Sequence, residues 1–130
     1  MKAQKILFIQ GGGNDGYDVD KLLVASLKSC LGNEYQIIYP KIHSDEKSSD
    51  YGWIKQIGEN IFCIKQGFIL VGHSFGASMI LKYLTENTAN KFIKGVFLAA
   101  TPFWNGNEEW QKGLKLVDDF AIKLPVQAPF

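Results

Sequence analysis

Residues 68–86 set a strand-length apolar run, Phe68-Ile69-Leu70-Val71, directly against Gly72-His73-Ser74-Phe75-Gly76, with a helical pattern directly after it. Met79, Ile80, Tyr83 and Leu84 recur at helical spacing, so the serine stands at a strand-to-helix junction. In that context G-x-S-x-G is a nucleophile elbow, a turn so tight that small residues are needed two before and two after the serine. Gly72 and Gly76 supply them. The turn would hold Ser74 Oγ up from the sheet at a helix N-terminus, where the dipole and free N–H groups favour a developing oxyanion. Ser74 is therefore the candidate nucleophile. The competing reading is a glycine-rich turn whose serine merely caps the helix.

The rest of the chain repeats the alternation. Strand patterns occupy 6–10, 35–39, 68–71 and 95–99, and helical patterns 19–30, 53–65 and 75–86. An aromatic stretch at 101–110 leads into a further expected helix, to about residue 122, and Val126-Gln127-Ala128-Pro129-Phe130 resembles the start of another strand. Strands that are continuous apolar runs between helices predict an α/β fold: a three-layer α/β/α sandwich with a mostly parallel sheet and right-handed crossovers. Trp53 and Tyr83 are expected to be packing residues.

At 130 residues, 46% hydrophobic and 13% aromatic, the chain suffices for one domain, 1–130, with a real core. Fourteen lysines, no arginine and 13 acids leave a formal net charge of +1 without a basic cluster, which argues against nucleic acid as a partner. The opening apolar stretch at 6–9 is too short for a signal peptide or a membrane span, so no membrane association and a cytoplasmic location are expected. Cys30 and Cys63 have neither C-x-x-C spacing nor a histidine cluster, so two buried free thiols are expected and no metal site.

Gly11-Gly12-Gly13-Asn14-Asp15-Gly16 follows the first strand and satisfies G-x-G-x-x-G. A dinucleotide fingerprint would need these glycines on a helix N-terminus, yet the helix is expected to begin late, at Val19 with Asp18 as N-cap. Strand two also ends in Tyr39-Pro40-Lys41 without an acid for a ribose hydroxyl, although Lys41 would suit a 2′-phosphate. A plain flexible turn is a second reading. The third is an oxyanion loop, because an elbow on one strand needs a second backbone donor from the neighbouring strand's loop. Gly12 N–H, paired with Phe75 N–H, fits that need.

Together, Ile6-Leu7-Phe8-Ile9-Gln10-Gly11-Gly12-Gly13, Pro40, Trp53 and Ile69-Leu70-Val71-Gly72-His73-Ser74-Phe75-Gly76 resemble the small α/β-hydrolases. In particular they resemble the compact serine hydrolases of the retinoblastoma-binding protein nine type and their bacterial relatives. The resemblance covers essentially the whole chain but only the N-terminal two-thirds of such a protein. It implies hydrolysis of a small-molecule acyl substrate, without a cofactor, through an acyl-Ser74 intermediate held by Gly12 and Phe75. Gln10 stands where a histidine is common, a change expected to affect only side-chain packing. Phe103 and Trp104, with Trp110, follow the strand after the elbow where related enzymes insert a lid, and would line an apolar acyl pocket or else pin that loop to the sheet.

A serine needs a general base and a group to orient it. His73 should project away from Ser74, and His43 sits on a polar loop with Ser44, Asp45 and Glu46. The resemblance puts the triad acid and histidine beyond Phe130. Asp118 and Asp119 follow Ser74 but no histidine follows them, so a solvated helical face is expected there. The chain is thus expected to be truncated and catalytically impaired, with the strand at 95–99 left as an apolar edge open to self-association. The alternatives are a noncatalytic binding module on the same scaffold and a Rossmann-like nucleotide binder through Gly11 to Gly16.

Overall fold

A computed structural model describes residues 3–87 and 92–124. The strands β1 (Gln4–Ile9), β2 (Tyr35–Ile38), β3 (Phe68–His73) and β4 (Ile93–Ala99) form one all-parallel sheet in the order β2-β1-β3-β4. The connections between them carry α1 (Gly16–Leu31), α2 (Trp53–Cys63) and α3 (Phe75–Glu86). Ile6, Leu7, Phe8 and Ile9 are all buried, as a central parallel strand covered on both faces requires. On α2, Trp53, Ile57 and Ile61 recur every fourth residue and are buried as one stripe against α3 and the sheet.

The layers follow from β3. Successive strand residues face opposite sides of a sheet. Gly72 meets Ile80 and Ala77 of α3, while the next residue, His73, meets Asp20 of α1. Helices α2 and α3 therefore share one face and α1 takes the other, beside β2. On that second face Val71 pairs in register with Phe97, which is 61% exposed at the edge of the described sheet. No helix of the described residues is long and apolar enough to cross a membrane.

Three expectations need correction. Helix α1 begins at Gly16, not Val19: Val19 N–H already donates to Asp15 O at 2.9 Å, and a glycine at 16 lets the helix start against Gly11 O. The helix expected to run to about residue 122 does not form. In its place are short 3₁₀ turns, Glu109–Gln111 and Phe120–Lys123, joined by a segment that buries Leu114 and Leu116, two residues apart. Gly113 lies so close to the backbone of Ser49 that a Cβ would sit 2.0 Å from its carbonyl oxygen, a long-range contact that no local helical period signals. Asp118 and Asp119 consequently lie off any α-helix, in exposed ion pairs with Lys115 (3.7 Å) and Lys123 (3.5 Å). Cys30 and Cys63 are free but exposed, not buried. Cys63, two residues past Ile61, falls off the buried stripe of α2. The strand start suggested for Val126 to Phe130 lies outside the described residues.

Candidate active site

Ser74 joins β3 to α3 with φ 55 and ψ −120, a conformation that costs an L-residue roughly 1–3 kcal/mol and persists only where the surroundings impose it. Two backbone bonds impose it here: Ser74 N–H donates to Ala99 O (2.8 Å), and Ser78 N–H donates to Ser74 O (3.2 Å). The serine side chain makes no capping bond to α3. The simple-cap reading therefore fails, and Oγ is not committed to the helix.

The flanking glycines answer to different neighbours. A Cβ on Gly72 would lie 2.6 Å from Ile80 Cδ1 and 2.9 Å from Ala77 Cα, on the helix of its own elbow. A Cβ on Gly76 would lie 2.1 Å from Gln10 O and 2.7 Å from Ile9 O, at the end of the neighbouring strand. The second glycine thus seats α3 against β1 and brings the loop after β1 to the elbow. There Gly12 abuts Phe75, a Cβ on it falling 3.0 Å from Phe75 Cβ. Gly12 lies outside β1 and α1, so neither ladder nor helix claims its N–H. Phe75 opens α3, where an N–H has no acceptor within the helix.

A cavity of about 510 Å³ opens over these groups. Gly12, Ser74, Phe75 and Trp104 all line it, together with Trp110, Leu114 and Pro102. Phe75 anchors the aromatic wall, edge-on to Trp53 (4.8 Å between centroids), Tyr51 (6.2 Å) and Trp104 (6.3 Å), and Trp104 meets Trp110 at 5.3 Å. Ser78 Oγ donates to Pro102 O and ties the aromatic stretch to α3. Phe103, expected in the pocket, is 67% exposed and does not line the cavity, because it alternates outward between Pro102 and Trp104.

Sequence reasoning missed Ser44, Glu46 and Tyr51, which reach the cavity from the loop between β2 and α2. Nothing local marks them among the other polar residues of that loop. Trp53 is a packing residue, 1% exposed, but its Nε1–H also donates to Ser44 Oγ (2.9 Å) and helps hold the loop. Gln10 does more than pack: its Oε1 accepts from Ile42 N–H at 2.8 Å, joining the end of β1 to the chain after β2.

Neither histidine lines the cavity. His43 is exposed, and His73 Nδ1 lies 3.1 Å from the buried Asp20 carboxylate. The same carboxylate accepts from Gly11 N–H (2.7 Å), so one donor that a bound pyrophosphate would use is already engaged. Nearby, burial raises the Tyr39 phenol, helped by the Asp20 charge; its O–H donates to Tyr17 O at 2.6 Å. Among the described residues no group of three or more His, Cys, Asp or Glu side chains could hold a metal ion.

A protein-family model described as serine hydrolase matches residues 27–127, which include the whole elbow. The chain belongs to the serine hydrolase family. No curated protein matches it. The serine hydrolase match begins inside α1, so it covers Ser74 and the cavity loops but not the glycine loop. The case for that loop rests on its contact with Phe75.

Proposed function

We propose that Ser74 is the nucleophile of an acyl-transfer site acting on a carboxylic ester, thioester or amide of small-molecule size. The observation that carries this is the strained, uncapped serine opening α3 beside a cavity large enough for such a substrate. Ser74 Oγ attacks the carbonyl carbon, and the carbonyl oxygen takes the negative charge. Gly12 N–H and Phe75 N–H donate to that oxygen from two sides, each such donor being worth roughly 10²–10³ in rate. The proton released from Ser74 Oγ passes to the leaving oxygen, sulfur or nitrogen as the tetrahedral intermediate collapses and its bond to the carbonyl carbon breaks, leaving acyl-Ser74. Water then attacks the acyl carbon, giving the acid and returning a proton to Oγ. Trp104 and Trp110 offer the acyl group an apolar wall.

Because neither histidine lines the cavity, we further propose that this chain by itself is impaired in the proton transfer the attack needs. A cytoplasmic setting suits its two exposed free thiols. The exposed Phe97 at the sheet edge favours self-association.

A fluorophosphonate probe followed by intact mass and peptide mapping tests the assignment. Slow labelling confined to Ser74, absent in Ser74→Ala and accelerated by added imidazole, is expected. Prolonged incubation without any adduct on Ser74 would sink the nucleophile. Rapid stoichiometric labelling with a burst of activated-ester hydrolysis would overturn the impairment alone.

A further inference from the structure

Asp20 is a carboxylate buried to 3% exposure inside α1, a placement that is costly unless its oxygens are well partnered. One oxygen, Oδ2, takes both partners: Gly11 N–H at 2.7 Å and His73 Nδ1 at 3.1 Å. An ionised carboxylate only accepts, so the proton between them belongs to His73 Nδ1. Each partner immediately precedes a residue of the site, Gly11 before Gly12 and His73 before Ser74. Gly11 lies in the loop after β1 and His73 ends β3, two adjacent parallel strands whose register ends at Ile9 opposite Gly72. Beyond that point no ladder bond ties the glycine loop to the elbow. Their approach then depends on Gly76 seated under Gln10 O, Gly12 against Phe75, and this carboxylate.

We propose that Asp20 is a positioning residue that fixes the glycine loop against the elbow, so that Gly12 N–H and Phe75 N–H converge on one oxygen beside Ser74. This rests on the assignment of those two donors above. Asp20 touches no substrate; it acts through Gly11 and His73. A charge-assisted bond is roughly twice as strong as a neutral one, so the ionised carboxylate rather than its shape is the operative feature.

The test is Asp20→Asn, which keeps the size and an acceptor oxygen but removes the charge. In the wild-type chain, ring-nitrogen NMR should find His73 protonated on Nδ1. In the variant, Gly11 amide exchange should quicken roughly tenfold or more. The Gly12 and Phe75 amide resonances should move while those of α2 stay. Labelling by the fluorophosphonate should show kinact lowered roughly 10- to 100-fold with KI changed by less than about threefold, as misplacement of a site predicts. Unmoved Gly12 and Phe75 amides in a folded variant, or a kinact within about threefold of wild type, would overturn the proposal. A wild-type chain that never labels removes the nucleophile assignment instead, and the amide measurements still decide whether Asp20 couples the two segments. If Asp20→Asn does not fold, His73→Asn, at a side chain that is 33% exposed, takes its place. Disturbance of Gly11 and Gly12 across the strand gap is then expected, and its absence refutes the coupling.

Discussion

Gly76→Ala puts the packing argument for the elbow at risk. On an exposed helix the substitution favours the folded state by about 1 kcal/mol, because alanine is the better helix former. In α3 the new methyl carbon would sit 2.1 Å from Gln10 O, 2.7 Å from Ile9 O and 3.0 Å from Gln10 C, all backbone atoms. A comfortable contact needs about 3.5 Å, so helix and strand must part by more than about 1 Å. No side-chain rotation can relieve this, and the parting also unseats Met79 and Ile80, both fully buried. Overpacking of a core ordinarily costs about 1–3 kcal/mol. A backbone-to-backbone clash belongs at or above the top of that range, so the net loss should be about 2 kcal/mol or more after the helix-propensity gain. For a domain of this size that lowers Tm by roughly 10 °C. Gly58→Ala is the control: it lies inside α2, and its methyl would meet only the Tyr83 ring edge at 3.1 Å, which can give way. That variant should stay within about 1 kcal/mol of wild type by urea unfolding. If Gly76→Ala matches its stability, the close approach of α3 to β1 does not require glycine and the elbow argument fails.

Ser74→Gly should abolish probe labelling yet raise Tm by a few degrees, since glycine relieves a backbone strain of roughly 1 kcal/mol or more at φ 55; a lower Tm would contradict the strain. Trp104→Ala should weaken the KI of an aryl fluorophosphonate several-fold while Phe103→Ala leaves it unchanged, because only Trp104 lines the cavity; equal effects would refute that placement. Tyr39 carries its proton more tightly when folded than the ordinary value of 10.0, so it should titrate late in alkaline ultraviolet difference spectra. Its stabilising contribution is complete below pH 10 and is lost as pH rises above it, and Tyr39→Phe should flatten that decline; a Tyr39 that titrates at the ordinary value of 10.0 speaks against the burial effect. Phe97→Lys should shift any concentration-dependent dimer towards monomer by light scattering, and an unchanged mass distribution would discount the edge strand as the contact.

What was legible in the sequence divides by the range of the contacts involved. The elbow was readable because its determinants all lie within residues 68–86: an apolar run that can only be a covered strand, a helical period, and glycines where backbones meet. α3 accordingly spans Phe75–Glu86 as the periodicity predicts. The placing of the glycine loop beside the elbow needed one further step, that an elbow strand has a neighbour with its own loop, and Gly12 does lie against Phe75. The start of α1 was misjudged because Asp18 makes a plausible cap, whereas the deciding contact, Gly16 beneath Gly11 O, is set by packing.

The aromatic segment after β4 shows why the remainder was not legible. Its apolar and charged residues suit a helix as well as a loop, and local propensity tilts towards the helix. The choice is made some sixty residues away in sequence, where Gly113 lies on the backbone of Ser49 and Trp53 holds Ser44. Leu114, Trp110 and Trp104 from that segment and Tyr51 and Glu46 from the loop before α2 all line the cavity with Ser74. Ser74 and Phe75 thus sit on a frame specified locally, while the cavity walls depend on loop-to-loop contacts with weak local preference. Substitutions in those walls should therefore alter which acyl group is accepted at little cost to the fold, whereas substitutions at Gly72 or Gly76 should disturb fold and reactivity together.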